Sequence, residues 1–153
     1  MPTSTYVALA TTEITASISD VTFSSIPTYR DYIVVFSGEC SAELDVAFTL
    51  NGDTGANYHR VFMSGPVLSV SGANQTAGFW GIVFGTPNNL VAHLMDAGAS
   101  DKHTTALVRS DAMTDRTRAY AGRWADTSVV NSIKIGTTGT FDSGRISLYG
   151  IAS

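Results

Sequence analysis

Apolar and polar residues alternate most cleanly through ELDVAFTLNG. Leu44, Val46, Phe48 and Leu50 fall on one side, and Glu43, Asp45, Ala47 and Thr49 on the other. A period of two predicts a strand with one face in a core and the other near water. Just upstream, Tyr32–Phe36 is a nearly unbroken run of β-branched and aromatic residues, which predicts a central strand covered on both sides. Further short strands are predicted over Tyr6–Leu9, Val21–Phe23, Tyr58–Met63, Phe79–Phe84, Leu90–Met95, Thr104–Ser110, Arg118–Trp124, Ser132–Ile135 and Arg145–Ile151. The separators SGP, SGAN, TPNN, DAGASD and TTGTFDSG carry turn chemistry. The one helix candidate, Asp111–Arg116, is short and lacks an apolar stripe, so it reads better as a loop or a single turn.

Many short strands at even spacing predict an all-β fold, a sandwich or a barrel. Eight to ten antiparallel strands in two sheets favour a jelly-roll-like β-sandwich. A chain of 153 residues suits one domain spanning 1–153. Residues 1–5 read either as an extended arm that reaches a neighbour or as a frayed end. The final strand ends so close to Ser153 that it is expected to be built into a sheet.

Charge narrows the choice of function. Only 14% of residues are charged and the formal net charge is −4. Without a basic cluster, binding to nucleic acid phosphates is not expected. No apolar run is long enough to span a membrane as a helix. The first residues lack the basic start and apolar centre of a signal peptide. Cys40 is the single cysteine, which leaves no internal disulfide and reads as a small buried thiol.

Candidate chemistry is sparse. NGDTGANY places oxygens from Asn51, Asp53 and Asn57 close together, as a calcium loop does, but lacks the further acids and closing Glu of such a loop. Asn-Gly is also the strongest short hairpin signal, and Asp53 and Asn57 can cap backbone N–H groups. Trp80 and Trp124 either stack on sugar rings or fill the core with their N–H groups bonded to backbone. The scattered His59, His93 and His103 form no metal motif, and no nucleophile elbow, phosphate loop or cofactor motif is present. Neither an enzyme nor a cofactor is therefore expected.

Four pieces occur in order: TYVAL, VTFSSIPTYRDYIVV, FTLNGDTGANY and GRWADTSVVNSIKI…SGRISLYGI. Together they resemble a family of tailed-phage virion proteins common in phages of cyanobacteria and other aquatic bacteria. The stretch Gly72–Asp115 carries none of these pieces. The resemblance implies a structural β-sandwich on the virion, most simply a capsid decoration (cement) protein. It implies a homotrimer bound to the major capsid protein on the head exterior. The alternative is a tail fibre or tip module that recognises host surface glycans. Candidate interaction residues are Asn51, Asp53, Asn57, Trp80, Trp124, Thr5 and Tyr6, with Trp80, Trp124 and Asp53 the ones that would touch sugars on the alternative reading.

Overall fold

The computed structural model describes residues 5–42, 44–65, 69–75, 78–83, 88–112 and 116–152. Those residues form eleven strands with no helix among them: β1 Tyr6–Ile14, β2 Ile18–Ser24, β3 Asp31–Cys40, β4 Leu44–Leu50, β5 Tyr58–Ser64, β6 Ser69–Gln75, β7 Phe79–Val83, β8 Asn88–Met95, β9 Thr105–Ala112, β10 Arg116–Trp124 and β11 Ser132–Ile151. Every strand pairing is antiparallel.

The architecture turns on β11. Its first part, Ser132–Thr137, pairs with β2 and β4. Its last part, Phe141–Ile151, pairs with β1 and β3. One long strand thus belongs to two layers. The narrow layer runs β2-β11-β4-β7, and the broad layer runs β1-β11-β3-β8-β9-β10-β5-β6. β7 crosses the inside of β9 and β10, which closes the sandwich. The β2–β3, β4–β5, β8–β9 and β10–β11 connections gather at one end of the sandwich, joined by backbone bonds such as Ile26 N–H to the Asn131 carbonyl and Ala125 N–H to the Asn57 carbonyl.

The core follows from the period-two patterns. Val46, Phe48 and Leu50 of β4, Ile133 and Ile135 of β11, and Val21 and Phe23 of β2 point in from the narrow layer. They meet Tyr32, Val34 and Phe36 of β3, Leu90 and Leu94 of β8, and Ile146 and Leu148 of β11. Full burial of each such side chain is worth about 1.5–3 kcal/mol in transfer from water. Phe36 and Phe141 pack with ring centroids 5.0 Å apart where β11 changes layer.

Glycine makes the change of layer possible. Gly144 lies at φ 109° and pairs with Gly38 of β3. A Cβ on Gly144 would run into the Ser37 carbonyl oxygen and the Gly38 Cα. Two register shifts lead up to this point, between Gly136 and Phe141 and between Phe141 and Ser143. Bulges of this kind bend a strand and raise its twist.

The sandwich and its antiparallel order match the sequence expectation, with two differences in strand count. TTGTFDSG reads as a turn but is the bent centre of β11, so two expected strands are one of 20 residues. SGAN reads as a separator but lies inside β6. The helix candidate dissolves at its ends: Asp111 and Ala112 close β9 and Arg116 opens β10, while 113–115 lie outside the described residues. The final strand is indeed built in, between β1 and β3.

Candidate functional site

The NGDTGANY segment connects β4 to β5. Asn51 and Gly52 have φ 51° and 70°, and the Asp53 N–H donates to the Leu50 carbonyl at 2.9 Å. Positive φ at both central residues of a four-residue turn is the type I′ signature, which Asn-Gly adopts at little strain. The turn reading of this segment is the observed one.

The side chains of Asn51, Asp53 and Asn57 each hydrogen-bond within the fold. The Asn51 Oδ1 accepts the N–H groups of Asn131 (2.9 Å) and Ser132 (3.2 Å), and its Nδ2 donates to the Val129 carbonyl at 2.9 Å. The Asp53 Oδ1 accepts the Gly55 N–H at 2.8 Å. Its Oδ2 accepts Asn57 Nδ2 at 2.9 Å and the Trp124 indole Nε1 at 2.6 Å. The Asn57 carbonyl accepts the Ala125 N–H at 2.8 Å. Burial by itself would raise the Asp53 carboxyl, but the Trp124, Asn57 and Gly55 donors outweigh it and hold the group below the usual carboxylate range.

Trp124 is 1% exposed and stacks on buried Tyr58, with centroids 6.2 Å apart and planes 19° from parallel. The Tyr58 hydroxyl accepts the Leu50 N–H at 3.0 Å. For Trp124 the buried alternative is the observed one, so its ring faces no solvent on which a sugar could stack, but its N–H bonds a carboxylate rather than backbone. Asn51 and Asp53 likewise spend their side-chain polar atoms on bonds within the protein, and the exposed Asn57 donates its Nδ2 to Asp53. Among the described residues, no group of three or more His, Cys, Asp or Glu side chains gathers to hold a metal.

The other expected residues are scattered. Trp80 stands in β7 opposite Ala47, with its side chain outside the described part of the structure. The Thr5 carbonyl accepts the Ala152 N–H at 3.1 Å, so the chain is tied to the sheet from Thr5 onward. Tyr6 pairs with Ile151 and is 58% exposed.

Sequence reasoning missed the partners of these residues and the outer surface. Tyr58, Val129 and Asn131 complete the Asn51–Asp53 cluster, yet no local spacing marks them. On the broad layer Val61, Met63 and Leu107 point outward and are about half exposed. Their only signal is that YHRVFMS and TALVRS are apolar at both parities, which reads equally well as a strand buried on both faces.

No protein-family model and no curated protein matches the chain. Three solved structures are distantly similar. An exo-inulinase from Aspergillus awamori matches over 97% of this chain at 14% identity and a TM-score of 0.41. A PL-14 alginate lyase from Aplysia kurodai matches over 84% of this chain and 70% of its own, at 9% identity and a TM-score of 0.32. A human SPRY domain matches over 91% of this chain and 96% of its own, at 9% identity and a TM-score of 0.21. The chain spans 29% of the exo-inulinase.

Proposed function

We propose that this chain is a non-catalytic virion protein that binds the outer surface of a bacteriophage head and bridges capsid subunits. The observation that supports this reading is where the four resembling pieces meet. SSIPTY reaches VVNSI through the Ile26 N–H on the Asn131 carbonyl at 3.1 Å. LNGD reaches the same segment through Asn51. The Tyr32 hydroxyl donates to the Pro27 carbonyl at 2.8 Å and lies 3.4 Å from the Val130 carbonyl. The Tyr29 ring lies over Gly150 of SLYGI so closely that a Cβ there would collide with it. TYVAL pairs with the same terminal strand. Pieces far apart in sequence thus form one clasp at one end of the sandwich, which is the arrangement expected if the four pieces belong to one shared scaffold.

A rigid scaffold suits such a role. Binding only to the assembled shell stabilises that state by linkage. Many copies joined by modest interfaces act together as a multivalent clamp. The test is to image the particles and count copies. The expected result is density for this protein on the head, in numbers comparable with the shell protein, and lower heat resistance in particles that lack it. A few copies at the tail, with binding on a glycan array, would transfer the assignment to a receptor-binding module.

A further inference from the structure

The two outer faces of the sandwich differ in kind. That of the narrow layer is a shallow groove of about 290 Å³ lined by the charged Asp20, Asp45 and Lys134, where Lys134 pairs with Asp20 at 3.4 Å. That of the broad layer carries an apolar band two rows wide, flanked by polar rows that include Thr105 and Arg123 on one side and Asp111 and Thr117 on the other. One row across its ladder runs Ile33, His93, Leu107, Ala121, Val61, and the next runs Val35, Val91, Arg109, Ala119, Met63. Leu107 is 53%, Val61 48% and Met63 53% exposed. A groove of about 390 Å³ runs between Ile33, Val91, Leu107 and Arg109.

We infer that a second copy of this chain covers this face, two broad layers packing against each other as a twofold pair. Area supports the pairing. The strands from β11 across to β5 at ~4.8 Å spacing, over the Thr105–Asp111 length at ~3.4 Å per residue, give a face of roughly 600 Å². Two such faces bury about 1,200 Å², where specific interfaces begin. Charge also supports a copy as the occupant. The outward row of β9 carries Arg109 beside Asp111, and the Asp111 carboxylate is held by the Asn89 N–H at 2.6 Å. A face bearing both signs offers its own twin an opposite charge for each. Sheets pack face to face at about 10 Å, and a patch that covers itself closes at two copies. That number differs from the three implied by the resemblance.

The inference does not rest on the virion reading, since a pair in solution is measurable wherever the protein acts. Sedimentation of the full chain over a concentration series is the test. A reversible dimer is expected, and Leu107→Asp and Val61→Asp should each weaken it at least tenfold. Thr22→Asp, exposed on the narrow layer, should leave it unchanged. Circular dichroism melts verify that each variant is folded. A chain that stays monomeric to sub-millimolar concentration overturns the inference. So does a dimer or trimer indifferent to both broad-layer substitutions.

Discussion

The indole Nε1 of Trp124 donates to the Asp53 Oδ2 at 2.6 Å, joining the end of β10 to a turn 71 residues away in sequence. This bond anchors a loop whose composition resembles a ligand site. A charge-assisted bond to a fully buried indole is among the stronger polar contacts a fold can make.

Asp53→Ala should therefore destabilise the fold by about 1–3 kcal/mol, since it strands the buried indole N–H and frees the loop. Trp124→Phe should cost a similar amount through the lost bond and lost volume. A double-mutant cycle by urea unfolding should give a coupling of about 1 kcal/mol or more between the two positions. Additive effects would mean that the bond contributes nothing to stability.

Stability should fall in acid. Asp53 titrates below its ordinary range for the reasons given above. At Asp31 burial would raise the carboxyl, but the Arg30 guanidinium at 2.6 Å and the Asp96 N–H at 2.8 Å prevail and lower it. A carboxyl with a depressed folded pKa contributes stability that is complete above its unfolded pKa of about 3.9 and is lost as pH falls through the folded value. Melting temperatures should decline below about pH 4–5. Asp53→Asn should flatten that decline, and an unchanged acid limb would count against the assignment.

Gly144→Ala should be among the most damaging single methyl additions in the chain. It strains a φ of 109° and drives a Cβ into the backbone of β3. We expect a loss of about 3 kcal/mol or more, seen as a fall of the urea midpoint. Thr22→Ala, on an exposed strand position, should change it by no more than about 0.5 kcal/mol.

Cys40 should resist alkylation. Burial, assisted by the nearby Asp142 charge, pushes its thiol up to about 12, so almost no thiolate exists at neutral pH. Labelling with iodoacetamide should proceed only as fast as the protein opens, and should become rapid in denaturant. Prompt labelling of the native protein would show that the β3–β4 end opens locally.

Period-two patterning identified most strands because it reflects a local requirement: alternate side chains enter one core. The Asn-Gly turn was legible for the same reason, since positive φ at two successive residues is a demand that sequence meets directly. β6 escaped because SVSGANQ has the composition of a turn, and its ladder with β5 supplies what propensity does not. β11 was split in two because Gly136, Gly139 and Gly144 look like breakers but serve to bend a continuous strand.

The amino-acid order alone determined an antiparallel β-sandwich and a hairpin at Asn51–Gly52. Only the tertiary structure decided that Asp53 turns toward Trp124, that Asn51 holds the Val129–Ser132 segment, and that Leu107, Val61 and Met63 face outward. The reason is physical. Strand identity depends on neighbours along the chain, whereas the partner of a carboxylate and the inward or outward sense of an apolar side chain depend on which segments the fold brings alongside.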